Sequence, residues 1–464
     1  MGIKKLTKSF LAENRGDSEQ LPQSPIDWIT QPLGRFFKIE AAAGIVLLLF
    51  TLLALYFANS QFSTQFAALW EIPIGISVGS LLFERSLHAW INDAVMTLFF
   101  FLIALELKRE LVLGELRKPK LALLSISAAA GGMIVPACIY LISQFGEAGQ
   151  HGWGTVMATD TAFVIGCLAL LGTRIPKSLR VFMLSLAIVD DLGAIVVVAL
   201  GYGSTIDWIC LGGAFIGFLI VKCMSSLGIR SLTLFFAVGC IIWLTIDAGG
   251  VHPTVTGVVL GLMTPTSRWV SDNKLHDIVN ALWRPIAKDY KDQTHLHTTL
   301  LKTAEAAARE ALSPVERLEF LLHPWVGFVV MPLFAFANAG IPLNNQDMPT
   351  SIMLAIFFSF AFGKPAGVCL FSWFAIQTKL AERPAELSWG LILAGGILAG
   401  IGFTMAIFIA NLAYTVEQIN AAKLGILTAS LFSSILGVAF LFIITRKSQT
   451  KTKQEAHQQK KLIK

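Results

Sequence analysis

Charged residues make up only 14% of this 464-residue chain, against roughly 25% in an ordinary soluble domain. With 55% apolar residues and a mean hydropathy of +0.67, so few charges cannot cover a water-facing surface. That excludes a soluble enzyme and makes lipid the main solvent. Cysteine is sparse as well. Cys138, Cys167, Cys210, Cys223, Cys240 and Cys369 all lie in apolar runs, and no two share a Cys-x-x-Cys or other metal-ligand spacing, which argues against disulfides and zinc. No cleavable leader is evident, since the polar arm before the first apolar run is too long for a signal n-region. The net charge of +6 follows membrane loops and forms no basic patch, so no nucleic-acid partner is expected.

What the chain does contain is apolar stretches of spanning length. A bilayer core of about 30 Å takes about 20 helical residues. Twelve stretches qualify or nearly so, near 39–58, 88–106, 121–143, 155–172, 181–203, 207–221, 231–246, 249–264, 325–342, 351–377, 388–414 and 424–445. Lys and Arg support the count. If the N-terminus is cytoplasmic, 33 of the 36 fall in cytoplasmic segments, leaving Arg85 and Lys423 outside and Lys364 within the membrane. The expectation is an all-α polytopic membrane protein with twelve transmembrane helices and both termini cytoplasmic.

A polar N-terminal arm (1–38) precedes the helical domain (39–445), which carries a long cytoplasmic loop at 266–323, and a basic tail (446–464) follows. Arm and tail read as disordered extensions skimming the lipid surface. The loop has helix-like patches such as 300–312, and its His295 and His297 read as solvated. One external segment alternates instead. Ile72, Ile74, Ile76 and Val78 are interleaved with Pro73, Gly75 and Ser77, and Gly79-Ser80 can turn into Leu81, Leu82 and Phe83. This is a small external β-hairpin that gains stability by joining another sheet edge, or else a loop packed on helix ends.

Each charge at a helix centre costs at least about 2.5–3.5 kcal/mol, so ionisable residues far from any loop mark function. Asp190 and Asp191, in LSLAIVDDLGAIVVVAL, begin ten residues beyond Arg180, a depth of about 15 Å. Asp160 lies fourteen residues before Arg174, and Lys364 fifteen before Lys379. Gly363 and Pro365 bracket Lys364 and suggest a broken or kinked helix facing the protein interior. Adjacent helical residues point about 100° apart, which gives the two aspartates different partners. One can bind a hard cation through oxygen while the other pairs with an ammonium, for which Lys364 is the candidate. Burial disfavours the charged form of such groups and brings protons into competition with cations.

Interrupted helices are the second signature. Gly395, Gly396, Gly400 and Gly402 precede Phe403 and Thr404, while Gly152, Gly154, Thr159, Asp160 and Thr161 precede another apolar half. Either the glycines allow close helix packing or the helices unwind at mid-depth. Asp160 favours unwinding, because a carboxylate offsets the positive ends of half-helices and Thr159 with freed carbonyls supplies further oxygens. In ALELKRELVLGELRKPK, Glu106, Glu110 and Glu115 alternate with Lys108, Arg109, Arg117 and Lys118. That is either a solvated helix end or, at Glu106, a cavity mouth.

These residues carry a family resemblance. ATDTAF, LAIVDDLGAI, HPWV with PLFAFANAG, FGKPAG and GIGFTMAIFIA, with WIND and LELKREL, resemble the NhaA-type sodium/proton antiporters, a standard example of inverted-repeat transporters. The match runs from about residue 35 to 445. The resemblance implies twelve helices with spans three to five and ten to twelve as inverted repeats, and spans four and eleven as broken, crossing helices. It implies Asp191 as the main sodium-binding and proton-carrying carboxylate and Asp190 as the partner of Lys364, with sodium a transient cargo on both aspartates and Thr159. Asp160, Gly400 and Gly402 would support the broken helices. Glu106, Glu110, Glu319 and His323 resemble a cytoplasmic pH-sensing cluster, and His252 another position linked to pH response. The hairpin near 72–83 resembles a homodimerisation element.

The implied activity is electrogenic, pH-regulated exchange of one sodium or lithium ion for two protons across a bacterial cytoplasmic membrane. No cofactor is called for. The chain departs from the family pattern in its long loop and terminal extensions.

Other classes fit less well. A retinal-type pump also places a membrane Lys near aspartates, but with seven spans. An intramembrane aspartyl protease needs facing carboxylates, which only Asp160 with Asp191 would provide. A sodium-coupled symporter needs an organic-substrate pocket that nothing in the sequence marks.

Overall fold

The structure is a computed structural model that describes residues 40–78, 81–114, 117, 119–203, 206–229, 231–267, 312–342 and 349–462. The arm at 1–38, the Gly79-Ser80 turn, and most of the 266–323 loop with its 300–311 patch, His295 and His297 lie outside the described residues.

Every predicted apolar stretch contains helix among the described residues. α1 (Glu40–Ala58) is followed by α2 (Ser63–Trp70), which folds back at 118°. Strands β1 (Pro73–Val78) and β2 (Leu81–Ser86) pair antiparallel in the expected place, from Pro73 opposite Ser86 to Val78 opposite Leu81. Among the described residues they form a sheet of two strands and join no other edge. The hairpin is instead tied to helix α3 (Leu87–Val112), where the Trp90 indole N–H donates to the Ile74 carbonyl at 2.8 Å.

Next come α4 (Pro119–Ser143), a 3₁₀ segment (Gln150–Val156) leading to α5 (Thr161–Leu171), α6 (Lys177–Gly201), α7 (Trp208–Ser226), α8 (Leu232–Ala248) and α9 (Thr254–Met263). The chain resumes with α10 (Pro314–Asn338) and α11 (Thr350–Gln377), then the pair α12 (Trp389–Ala399) and α13 (Phe403–Ala413), and ends in α14 (Val416–Leu462). Among the described residues, eight helices are long and apolar enough to cross a bilayer, or ten if each bent pair counts as one span. The stretches expected at 231–246 and 249–264 form helices of 17 and 10 residues. Trp208, Ile209, Phe236 and Ile241 stand exposed on α7 and α8, an apolar exterior suited to lipid.

Three sequence expectations need correction. The 266–323 loop ends sooner than hydropathy suggests, because Ser313 and Glu316 form a reciprocal capping box with Pro314 at the first helical position. Glu319 and His323 therefore sit on α10. The pattern missed this start because the helix's first turns are polar. The Lys364 helix is not broken: Gly363 and Pro365 are absorbed by a π-helical turn at Ser359–Gly363, with α-helix on either side. Finally, the backbone of α14 continues as helix through Leu462, so the tail extends the last apolar helix.

The core gathers where α4, α11 and the broken pair meet. There Tyr140, Phe360, Lys364 and Phe408 are among the largest fully buried side chains. Helix α4 packs against α11 backbone to backbone. A Cβ on Gly131 would lie 2.2 Å from the Gly367 carbonyl oxygen, and one on Gly367 2.1 Å from that of Gly131. Backbone atoms cannot yield as a side-chain tip can. Gly131→Ala or Gly367→Ala is expected to cost about 1–3 kcal/mol by overpacking, read as a lower thermal midpoint in detergent. An unchanged midpoint would contradict this contact.

Candidate functional site

The site begins with two helix interruptions that touch. After the 3₁₀ segment the chain runs through Met157–Asp160 without helical structure and starts α5 at Thr161. On the other strand of the crossing, α12 ends at Ala399 and α13 starts at Phe403, bent by 46°. The Asp160 N–H donates to the Ile401 carbonyl at 2.7 Å, joining break to break. Both readings of the glycines are realised here. The chain is interrupted at Gly400–Gly402, and a Cβ on Gly402 would lie 2.3 Å from the Phe360 ring.

Asp160 is fully buried and serves both half-helices. Its Oδ1 accepts from the Phe163 N–H at 3.0 Å, capping α5. Its Oδ2 accepts from the Thr404 N–H at 3.1 Å and from the Thr404 hydroxyl, in the first turn of α13. One carboxylate thus lies against two positive helix ends. Asp160→Asn must turn an N–H₂ toward at least one of these donors. Loss of a cap costs about 0.5–2 kcal/mol. The expected result is a lower thermal midpoint and weaker apparent cation affinity with turnover retained, and complete inactivity would instead assign Asp160 a direct part in proton transfer.

Against this crossing lies α6, with Asp190 and Asp191 each about 1% exposed. The Lys364 ammonium, from α11, uses all three of its donors. It reaches Asp190 Oδ2 at 2.5 Å, the Thr159 hydroxyl at 2.6 Å and the Met157 carbonyl at 2.6 Å. Thr159 in turn donates its single hydrogen to Asp190 Oδ2 or to the Ala399 carbonyl at 3.0 Å. A buried ion pair withstands desolvation only when its remaining donors are met, and here the ammonium's are.

Asp191 is different. Its Oδ2 accepts from the Thr161 hydroxyl at 2.9 Å, while its Oδ1, like that of Asp190, has no hydrogen-bond partner among the described residues. What sets it apart is that, among the described residues, no cationic side chain touches it, whereas Lys364 holds Asp190. A buried carboxylate in this position is relieved of its unpaired charge by taking up a proton or a cation.

The glutamate cluster is also assembled. Arg109, on α3, pairs with Glu319 of α10 and with Glu110 at 3.2 Å, and His323 Nδ1 lies 3.5 Å from Glu106. His252 sits apart, toward the Leu87 end of α3. Its Nε2 is 3.6 Å from Asp93, its Nδ1 is 2.8 Å from the Thr254 hydroxyl, and Arg85 joins Asp93 at 2.6 Å to Asp247.

The structure thus brings Asp190, Asp191, Lys364, Thr159, Asp160, Gly400 and Gly402 together in one crossing. Glu106, Glu110, Glu319 and His323 form a second group, with His252 in neither. Sequence reasoning did not assign Thr161, Thr404, Arg109 or Asp93 to sites. Their signals were present in the hydroxyls flanking each helix break and in the charged WIND and LELKREL segments.

Comparison with known proteins gives an independent result. The model of the family described as Na+/H+ antiporter 1 matches residues 34–441. The chain is 60% identical over 434 residues to the Na(+)/H(+) antiporter NhaA 2 of Vibrio vulnificus (strain CMCP6), covering 93% of this chain and 97% of that protein. It is 54% identical over 426 residues to the Na(+)/H(+) antiporter NhaA of Rhizobium meliloti (strain 1021), covering 92% and 98%. The Na(+)/H(+) antiporter NhaA of Rhodopirellula baltica is 43% identical over 422 residues, covering 91% and 96%.

Proposed function

Because this chain belongs to the NhaA family of Na+/H+ antiporters, we propose that it exchanges sodium or lithium for protons across a bacterial cytoplasmic membrane, electrogenically and under pH control. The observation that carries this reading is Asp191, buried beside a broken-helix crossing with no cationic side chain in contact among the described residues, whereas Lys364 holds its neighbour Asp190.

In the proton-loaded state Asp191 is protonated and Asp190 is held by Lys364. Sodium displaces the Asp191 proton and draws Asp190 onto itself, and the released Lys364 gives up a second proton. The proton-loaded site then carries no net charge, whereas the sodium-loaded site, with two carboxylates and one cation, carries one negative charge. Moving the two states in opposite directions transfers one charge per cycle, which is two protons for one sodium. The half-helix ends compensated by Asp160 let the crossing shift without exposing bare dipoles.

Twelve spans with spans three to five and ten to twelve as inverted repeats, and both termini cytoplasmic, belong to the same reading. The charge distribution of the loops supports it. In that orientation the Arg109 cluster faces the cytoplasm. Its ion pairs between α3 and α10 supply the pH response, with His252 a second contributor at the far end. The hairpin is the proposed contact between two copies of the chain.

The test is direct. Purified protein in liposomes with an internal pH dye should respond to added sodium with no organic solute present. A response that depends on an organic solute would replace antiport with symport.

A further inference from the structure

Among the described residues, the carboxylate assigned to cargo has one polar side chain hydrogen-bonded to it, and that side chain is Thr161 where the sequence pointed to Thr159. In the cation-free state the Thr159 hydroxyl is committed to the Lys364–Asp190 pair, accepting from Lys364 at 2.6 Å and donating toward Asp190 or Ala399. Nearby carbonyls are committed too. That of Met157 accepts from Lys364 at 2.6 Å and that of Asp160 from the Val164 N–H at 3.0 Å. Thr161, the first residue of α5, is free of these ties. Its hydroxyl donates to Asp191 Oδ2 at 2.9 Å, and among the described residues no donor reaches its lone pairs.

We propose that Thr161 is a direct oxygen ligand of the carried cation and helps set its affinity and selectivity, an assignment that rests on the reading of Asp191 as the exchange site. Hard cations take several oxygens at about 2.3–2.6 Å. Two oxygens 2.9 Å apart are close enough for one such ion to touch both. In the cation-free state the hydroxyl hydrogen points at Asp191. When the ion arrives that hydrogen turns away and a lone pair faces the ion, so the same hydroxyl serves both states. The Thr161 side chain is β-branched and fixed at a helix start. Its χ1 is therefore stiff, which makes its oxygen a ligand of defined distance, able to discriminate between ions of different radius.

The experiment measures apparent KM and maximal rate for sodium and for lithium in proteoliposomes, comparing wild type with Thr161→Val, Thr161→Ser and, alongside, Asp191→Asn. Valine keeps the shape and removes the oxygen. A lost charge-assisted contact of this kind corresponds to about a tenfold rise in KM, with maximal rate little changed. Serine, which restores the oxygen on a freer rotor, should recover most of the sodium affinity and narrow the difference between the two ions. Should the valine variant fail to accumulate, Thr161→Ala carries the same expectation.

An unchanged KM in the valine variant, or a lost maximal rate with KM unmoved, would overturn the assignment while inactive Asp191→Asn left the exchange site standing. If Asp191→Asn still exchanges, both readings fall together.

Discussion

Replacing Asp191 by Asn is expected to reduce sodium-driven proton movement to the level of empty liposomes, a loss of at least about a hundredfold, while the protein still folds. Asn keeps the size of the side chain and can still accept from Thr161, whose hydroxyl lies 2.9 Å away. In the proposed cycle it removes the charge that binds sodium and one of the two groups that exchange a proton, Lys364 being the other. Because Asp191 has no cationic side chain in contact among the described residues, its neutralisation strands nothing. The thermal midpoint should be unchanged or higher, since burying an unpaired carboxylate is costly. Exchange above the empty-liposome level would remove Asp191 from the mechanism.

Asp190 and Lys364 should behave in the opposite way. They are in contact at 2.5 Å and almost wholly buried, so neutralising either one alone leaves an uncompensated charge, at about 3–5 kcal/mol. Asp190→Asn and Lys364→Gln are each expected to be thermally unstable. The double variant loses both charges together and should recover part of that stability, a coupling that a double-mutant cycle reads directly. Charge accounting adds a functional consequence. With Asp191 alone trading one proton for one sodium, the double variant exchanges without net charge movement. Sodium-driven currents on a planar membrane should vanish while dye-detected proton flux persists. Additive destabilisation, or an undiminished current, would show that the two residues are not partners.

These consequences rest on residues whose importance was legible before any coordinates. Asp190, Asp191, Asp160 and Lys364 stood out because charge deep in an apolar stretch has few explanations, and the hairpin stood out by its period of two. What sequence could not resolve was the pairing of neighbours. Thr159 and Thr161 differ by two positions across a non-helical-to-helical junction, and Asp190 and Asp191 diverge by about 100° on their helix. Which hydroxyl meets which carboxylate depends on how the two elements are set against each other, and the structure matches Thr159 to Asp190 and Thr161 to Asp191.

The π-helical turn before Lys364 was hidden for a related reason. A single register shift leaves no compositional trace beyond the Gly363 and Pro365 that suggested a break. The early start of α10 was missed because its first turns are polar, although Ser313, Pro314 and Glu316 spelled out the cap. Thr404 lay in a quoted motif, yet its bond to Asp160 spans 244 residues of sequence, a separation no local pattern reveals.

The central claim is that one buried carboxylate holds either the proton or the sodium ion. Calorimetric titration of sodium into the purified protein across a range of pH, in two buffers of different ionisation enthalpy, tests it most directly. Competition predicts that sodium binding releases protons and that apparent affinity weakens as pH falls, each displaced proton contributing about a tenfold loss per unit. A sodium affinity independent of pH, bound without proton release, would contradict it.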